Sequence, residues 1–303
     1  MIKLYTLQQA LDKADGQGYA VGAFSARYTP FVTSILRAAE ALRSPVIVQI
    51  AQIELQWYDL TLAEFAQQFW IQLEAVQPTV PVCLHLDHTQ SFELIQAAIA
   101  LGFTSVMIDA SAQELAGNIA TTRPVVAYAH ARGVSVEAEL GRIGTTDRIE
   151  TENDEELYTQ PDEAKIFVDQ TRVDALAVSV GTAHGQYLVK QPTIDLPRLQ
   201  AIRARTPVPL VLHGGSGTPA DQIHNAIRLP GGGVSKVNIA TDLELALLAE
   251  LGRTARLTDA GLRALPAREI ERGQRAVQAL VEEKIKNFLL SAGHAPDFTS
   301  INR

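Results

Sequence analysis

The stretch 81–111, PVCLHLDHTQSFELIQAAIALGFTSVMIDAS, decides the fold, because two strand patterns flank one helix pattern within it. Short apolar runs at 81–86 and 105–108 are typical of buried strands. Between them, residues 92–101 carry apolar side chains at helical spacing. A strand, a helix and a second strand in this order indicate a unit of two parallel strands joined by a crossover helix.

The same alternation recurs along the chain and gives eight such units. Predicted strands cover 20–24, 45–50, 81–86, 105–108, 135–139, 175–180, 209–212 and 234–238. Predicted helices cover 33–42, 62–74, 92–101, 113–132, 161–170, 196–205, 219–227 and 242–252. Eight units in 303 residues predict a single-domain TIM barrel over residues 1–303, since that fold typically needs about 250 residues. Residues 267–290 keep the helical period and predict an extra C-terminal helix.

Composition and charge exclude several classes of protein. Apolar residues make up 47% of the chain and charged residues 20%, which argues against disorder. The net charge of −8 repels nucleic acid and anionic lipid, and no apolar run reaches the roughly 20 residues of a bilayer span. The single cysteine, Cys83, cannot form an internal disulfide, and the first residues lack a signal-peptide pattern. We therefore expect a cytoplasmic protein that binds neither nucleic acid nor membrane.

Three of the seven histidines fall just past the ends of predicted strands three, six and seven. They are His88, His184 and His213. Catalytic groups of a TIM barrel lie at the carboxyl ends of its strands, so these imidazoles are expected to converge on a divalent metal, most often zinc. The alternative for any one of them is a hydrogen bond to a loop carbonyl. A structural role is expected for the other four, His85, His130, His224 and His294.

The fifth predicted strand alternates strictly, so that Ser135, Glu137 and Glu139 share one face. Its apolar face must meet the helices, which points both glutamates into the barrel, where an unpaired charge is costly. Lys236 on strand eight has the parity needed to neutralise Glu137, a structural ion pair. Glu139, nearer the mouth, is expected to form a second, weaker metal position with Asp109.

Two glycine-containing turns point to phosphate. HGGSG at 213–217 and NIAT at 238–241 each precede a predicted helix, after strands seven and eight. Freed backbone N–H groups and helix N-termini there suit a phosphate group, which many barrels hold at this place. The alternative is an ordinary surface turn. The acidic interval 141–160 follows strand five and reads as a loop over the site.

With these residues in these places, the sequence resembles a known family, the class II, metal-dependent ketose-bisphosphate aldolases of the fructose- and tagatose-bisphosphate type. The resemblance runs from the N-terminus to about Leu290. It rests on GYAVGAF (18–24), PVCLHLDHTQS (81–91), FTSVMIDAS (103–111), VEAELGRIG (136–144), VDALAVSVGTAHGQY (173–187), PLVLHGGSG (209–217) and KVNIATDL (236–243).

The resemblance implies a role for each matching residue. It implies that His88, His184 and His213 hold zinc, which Co²⁺ or Mn²⁺ can replace, and that Asp109 and Glu139 are secondary metal positions. It implies that Asp87 is the catalytic acid/base. The dihydroxyacetone phosphate half is then held by Gly185, Gly214, Gly215, Ser216, Asn238, Ile239, Ala240 and Thr241. Asn238 is also expected among the catalytic residues, and a monovalent cation is a further candidate cofactor.

The implied chemistry agrees with these residue types. Breaking the bond beta to a ketone leaves an enediolate, whose charge a chelated Zn²⁺ can stabilise as a Lewis acid. The resemblance further places Asp147 where the family has a glutamate that moves the proton at the dihydroxyacetone phosphate carbon. Glu150 and Glu152 are alternatives for that step, and Asp147 as one more solvated charge is the other interpretation.

Departures from the family pattern concern the distal half of the substrate. The segment Ser25-Ala26-Arg27-Tyr28 replaces the usual asparagines, and Ile50-Ala51-Gln52-Ile53-Glu54 replaces a Ser and a Gly. Arg268 and Arg272 are candidates for the arginine that a neighbouring subunit lends to the distal phosphate, in a homodimer or homotetramer.

Fructose 1,6-bisphosphate is the first substrate that the sequence suggests. The alternatives are tagatose 1,6-bisphosphate, a sulfo-sugar phosphate and a deoxy-keto-acid phosphate. From another class of protein, the chain could be a non-catalytic subunit that stabilises an aldolase.

Overall fold

Eight parallel strands pair in sequence order, and the last pairs with the first to close a barrel. The computed structural model describes residues 4–143, 157–183, 185 and 192–301. The strands are β1 Val21–Ser25, β2 Val46–Ala51, β3 Val82–Thr89, β4 Ser105–Ile108, β5 Ser135–Leu140, β6 Ala175–Val178, β7 Leu210–Leu212 and β8 Val234–Ile239. The predicted TIM barrel is confirmed, and every predicted strand overlaps an observed one.

Helices follow the strands and cover the outside of the barrel. Over the described residues they are α1 Leu7–Ala14, α2 Phe31–Ala41, α3 Gln52–Trp57, α4 Leu62–Val76, α5 Phe92–Ala100, α6 Leu115–His130, α7 Pro161–Thr171, α8 Leu196–Arg203, α9 Ala220–Ile227, α10 Thr241–Glu250, α11 Asp259–Arg263 and α12 Ala267–Glu283. The sequence analysis does not predict α1, α3 and α11; α3 and α11 have only six and five residues, too few to show a helical period. None of the helices in this part of the chain combines the length and the apolar character needed to cross a bilayer.

The barrel interior changes from apolar to polar along the strands. Towards the amino ends, small and apolar side chains such as Val21, Ile47, Cys83 and Met107 form an inner cluster. Helix α1 adds Leu7 and Leu11 to this cluster, so that it covers the amino end of the barrel. Towards the carboxyl ends the inward positions are polar: Gln49, His85, Asp87, Glu137, Glu139, His213, Lys236 and Asn238, all buried. The fold therefore collects its buried polar groups at one end.

The C-terminal helix packs on the side of the barrel against α2 and α10. The predicted C-terminal helix is confirmed and ends two residues before the predicted bound of 290: α12 ends at Glu283 and continues as one π-helical turn, Lys284–Phe288. Val277, Val281 and Ile285 are its buried contacts with the core. The extra helix thus adds to the same apolar layer that holds the strands and outer helices together.

The C-terminal segment should therefore contribute to stability through burial. Ile285 is 0% exposed and Ile71 on α4 is 53% exposed. Replacing a buried isoleucine by alanine removes apolar contacts and leaves a cavity, so Ile285→Ala should lower the free energy of unfolding by about 2–5 kcal/mol. Ile71→Ala, the same change on the surface, should alter it by no more than about 0.5 kcal/mol. Urea denaturation measures both, and equal losses for the two variants would contradict this packing.

Candidate active site

A cavity of about 820 Å³ opens at the carboxyl end of the barrel. Predicted site residues from six different strand ends line it, namely Asp87, His88, Asp109, Glu139, Gly185, Gly214, Ser216, Asn238, Ala240 and Thr241. His184 and the loop acids Asp147, Glu150 and Glu152 lie outside the described residues. The structure therefore brings most of the predicted residues into one pocket.

Asp87 is a buried carboxylate held by two side-chain amides. Both of its oxygens accept a hydrogen bond from Asn238 Nδ2 at 3.1 Å, and Oδ2 also accepts one from Gln49 Nε2 at 3.0 Å. Burial raises the pKa of Asp87, but the charges of His88 and Lys236 and a hydrogen bond from His85 bring it well below its usual range. Asp87 is therefore an ionised carboxylate with a fixed orientation at neutral pH.

Gln49 was not among the predicted site residues. It is a single polar residue in the otherwise apolar run VIVQIA of β2, at an inward position. That signal was available in the sequence, since a polar side chain inside a barrel strand needs a polar partner.

His88 faces the pocket beside Asp87, although adjacent residues of a regular strand point to opposite sides. The pairing of β3 with β4 shifts register between Leu86 and Thr89, and the backbone of His88 has φ +37°. A positive φ is uncommon for a residue with a side chain and costs free energy. This distortion directs two consecutive side chains towards the same pocket.

His88 and His213 approach each other from opposite sides of the barrel mouth. Their ring centroids are 4.4 Å apart. His88 Nδ1 is 3.0 Å from Asp109 Oδ2 and 3.8 Å from Glu139 Oε2, whereas His213 Nδ1 is 3.4 Å from the same Glu139 oxygen. Glu139 therefore lies between the two imidazoles, near the mouth of the barrel, where its place on β5 predicts it.

Glu137 lies deeper and is paired with Lys236, which confirms the predicted ion pair. Lys236 Nζ donates to Glu137 Oε2 at 2.7 Å, and His213 Nε2 is 2.9 Å from Oε1.

His85 Nε2 lies 3.6 Å from Glu137 and 3.5 Å from Asp87, and its Nδ1 is 2.7 Å from Ser105 Oγ. His85 is thus fully buried between Asp87, Glu137 and Ser105, and its structural role stays a prediction.

Carboxylates outnumber cations in this cluster. Asp87, Asp109, Glu137 and Glu139 surround the two imidazoles, and Lys236 is the only lysine that pairs with them among the described residues. Burial lowers the pKa of His88, but the carboxylates of Asp87, Asp109 and Glu139 raise it to about 10. Without a metal the imidazole therefore carries a proton, because the site favours a positive charge.

The donor set fits a divalent metal ion. Ligand atoms of Asp87, His88 and His213 lie within 4.8 Å of one another, and so do those of His88, Asp109 and Glu139. Imidazole nitrogens and carboxylate oxygens at such separations suit an ion that binds them at about 2.0–2.2 Å. His88 belongs to both sets, which allows one ion to be bound in two neighbouring ways.

The glycine turn after β7 packs closely against its neighbours. A Cβ on Gly214 would lie 2.4 Å from the carbonyl oxygen of Ala183, and one on Gly215 would lie 2.7 Å from that of Asn238. Ser216 Oγ accepts hydrogen bonds from the backbone N–H groups of Ala240 (3.1 Å) and Asp242 (3.3 Å), at the N-terminus of α10. The two predicted phosphate loops are therefore joined into one surface.

Two of the predicted phosphate-binding residues differ from the rest in their placement. Ile239 is fully buried in the outer apolar core, and the Gly215 amide donates to the Asn238 carbonyl. Neither lines the pocket among the described residues. The strand alternation of β8 directs Ile239 outwards, since its neighbour Asn238 points inwards.

Arg268 and Arg272, the candidates for a distal phosphate, lie on α12 at the side of the barrel. Arg272 is bound to Glu250, with Nε 2.9 Å from the carboxylate and Nη2 2.7 Å from the carbonyl oxygen. Neither arginine is among the described residues that line the pocket of its own chain.

Comparisons with known proteins agree with this geometry. The family model of "Fructose-bisphosphate aldolase class-II" matches residues 5–294. Fructose-bisphosphate aldolases of Giardia intestinalis and Thermus caldophilus are 36% and 37% identical, over 99% and 94% of this chain and 97% and 98% of their own. The crystal structure of the YdjI aldolase from Escherichia coli K12 has a TM-score of 0.79 at 30% identity, covering 97% of this chain and 100% of that one. The chain therefore belongs to the class II fructose-bisphosphate aldolase family, whose members are lyases.

Proposed function

We propose that this protein reversibly cleaves a phosphorylated ketose into dihydroxyacetone phosphate and an aldehyde, with the help of a divalent metal ion. The observation that supports this most strongly is the buried, ionised Asp87, which lies beside His88 and the fully buried His213. Asp87 and His88 line a pocket to which residues of the two predicted phosphate loops also contribute. Membership of the aldolase family gives the reaction type.

The phosphate of the dihydroxyacetone half is assigned to the loops after β6, β7 and β8. Gly185, Gly214, Ser216, Ala240 and Thr241 line the pocket there. Helix α10 begins at Thr241, and the positive end of its dipole faces this place. A phosphate at this position would be held chiefly by backbone groups.

Asp87 is assigned the proton transfer at the hydroxyl of the cleaved carbon–carbon bond. It takes the hydroxyl proton in cleavage and returns it in condensation, which requires a heavy-atom distance of about 3 Å. The amides of Asn238 and Gln49 hold its carboxylate in one orientation through the reaction. Asp147, with Glu150 and Glu152 as alternatives, is assigned the proton at the carbon of dihydroxyacetone phosphate.

His88, His184 and His213 are assigned to the metal, with Asp109 and Glu139 as its second position. When bound, a divalent cation supplies Lewis-acid stabilisation of the negative charge that develops as the carbon–carbon bond breaks. We propose Zn²⁺, replaceable by Co²⁺ or Mn²⁺, and a monovalent cation as a further cofactor.

Fructose 1,6-bisphosphate is the first substrate to test, because the relatives named above are fructose-bisphosphate aldolases. Tagatose 1,6-bisphosphate, a sulfo-sugar phosphate and a deoxy-keto-acid phosphate are the alternatives with the same mechanism. A purely stabilising subunit has no chemical need for Asp87 beside two imidazoles, which argues against that other class. We further propose a cytoplasmic homodimer or homotetramer.

Removal of the metal tests the proposal directly. A chelator should abolish the release of dihydroxyacetone phosphate, and Zn²⁺, Co²⁺ or Mn²⁺ should restore it. The metal should also raise the melting temperature, since an ion that binds only the folded state stabilises it. His213→Ala should lose bound metal, because too few ligands remain. A metal-stripped protein that cleaves substrate at an unchanged rate would overturn the assignment.

Asp87→Asn separates proton transfer from binding. The amide keeps the shape of the side chain but cannot take a proton, so cleavage should slow by roughly 10²–10⁴-fold while zinc content is kept. Asp169→Asn is the matched control, because Asp169 pairs with Lys165 on the exposed face of α7. Steady-state release of dihydroxyacetone phosphate and metal analysis give both readouts. Full activity of Asp87→Asn would assign the acid/base role elsewhere.

A further inference from the structure

A second polar cluster lines the same cavity, on the side of β8, β1 and β2. We call it the distal network, and it consists of Arg27, Glu54, Glu244 and Arg256. Arg27 follows β1, Glu54 lies on α3 after β2, and Glu244 lies on α10 after β8. Arg27 and Glu54 belong to the two segments whose sequence departs from the family pattern at the distal half of the substrate. We infer that a substrate held at the β7–β8 loops and at Asp87 extends towards this network, which the mechanism does not use.

The distal network is tightly paired within itself. Arg27 is buried, with Nε 2.6 Å from Glu54 Oε1 and Nη1 3.0 Å from Glu244 Oε2. Arg256 Nε is 3.1 Å from Glu244 Oε1, which also accepts a hydrogen bond from Tyr28 at 3.1 Å. Glu244 therefore pairs with both arginines and Glu54 pairs with Arg27, so each guanidinium has a carboxylate partner inside the network.

The charges of the network cancel. Burial raises the pKa of Glu244, but the Tyr58 hydroxyl and the charges of Arg27 and Arg256 bring it below its usual range, so it stays ionised. Two arginines then face two carboxylates. The described lining of the whole pocket has one more arginine, Arg142 after β5, and three more carboxylates: Asp87, Asp109 and Glu139.

A network of two arginines and two carboxylates, with no net charge, does not suit a second phosphate group. Phosphate is ordinarily bound by arginine or lysine side chains whose charge is available to it. A dianion at the distal network would meet two carboxylates as well as two guanidinium groups. Bringing it there would cost desolvation with no net attraction in return.

The surroundings of the network suit a sugar instead. The exposed side chain of Trp57 lies beside Arg256, whose guanidinium carbon is 5.0 Å from the ring centroid. Ile53 and Leu245 add exposed apolar surface to the same part of the lining. Carboxylates accept hydrogen bonds from hydroxyls, guanidinium groups donate to them, and an aromatic face covers C–H groups.

We propose that the distal network selects an uncharged, polyhydroxylated aldehyde half, so that the preferred substrate is a ketose 1-phosphate without a distal phosphate. The proposal rests on the proposed aldol cleavage and leaves its chemistry unchanged. The bond between C3 and C4 breaks, its electron pair stays with the dihydroxyacetone phosphate half, and the C4 hydroxyl proton goes to Asp87. Only the group beyond C4 differs.

Two substrates that differ by one phosphate group test the inference. The zinc-loaded enzyme is assayed for release of dihydroxyacetone phosphate from fructose 1-phosphate and from fructose 1,6-bisphosphate. We expect kcat/KM to be at least about tenfold higher for fructose 1-phosphate, since one dianion is kept out of a neutral, partly buried site. A preference for fructose 1,6-bisphosphate overturns the inference and leaves the proposed function intact. No release from either substrate overturns both.

Variants then test whether the network itself is responsible. Glu244→Gln and Glu54→Gln each leave the network with one net positive charge. Each should move the ratio of kcat/KM values by about tenfold towards fructose 1,6-bisphosphate. Asp169→Asn, which removes one acidic charge from α7, should leave the ratio unchanged. Since one variant could fail to fold, both are made and their zinc content is compared with the parent. An unchanged ratio in folded Glu244→Gln and Glu54→Gln contradicts the role of the network.

Discussion

The mouth of the barrel is dominated by the repulsion among four carboxylates that one lysine cannot balance. Asp87, Asp109, Glu137 and Glu139 lie around His88 and His213, and Lys236 compensates chiefly Glu137. Unpaired charge in a protein interior costs several kcal/mol per ion, so this arrangement persists only if a further positive charge is bound. The raised pKa of His88 has the same cause, since the carboxylates favour a positive charge at this imidazole. A metal ion can supply that charge instead of a proton.

The backbone accommodates this cluster by local distortions at the strand ends. The shifted register and positive φ of His88 bring two consecutive side chains into the pocket. At the opposite wall, Gly214 and Gly215 allow a turn to lie against the backbone of Ala183 and Asn238, where any side chain would collide. Such strain is stable only because the surrounding barrel is apolar and closely packed. The polar mouth therefore depends on the apolar outer layer, whose packing holds these distorted strand ends in place.

Much of the site could be predicted from the sequence, because the alternation of inward and outward side chains along a strand is visible in a few consecutive residues. The strict period of β5 placed Glu137 and Glu139 inside the barrel, and the parity of β8 assigned Lys236 to Glu137. The same parity argument, applied to Ile239, would have directed it to the outer core rather than to phosphate. Gln49 could also have been found, as a polar residue at an inward position.

Contacts between distant parts of the chain could not be predicted. Arg27 and Glu244 are 217 positions apart, and no local pattern in either segment predicts that the two side chains pair. The short helix α3, which presents Glu54, has no period from which it could be recognised. The pairing of the distal network, and hence its neutral charge, follows only from the closed barrel that brings β8, β1 and β2 together.

The proposed function depends above all on a divalent ion bound by the carboxylate-rich cluster at His88 and His213. Anomalous diffraction at the zinc absorption edge, from crystals of the zinc-loaded protein, locates that ion directly. We expect a peak about 2.0–2.2 Å from one nitrogen of each of the two imidazoles, with Asp109 and Glu139 nearby. A zinc peak bound elsewhere, with His88 still hydrogen-bonded to Asp109 and no ion between the imidazoles, would contradict it.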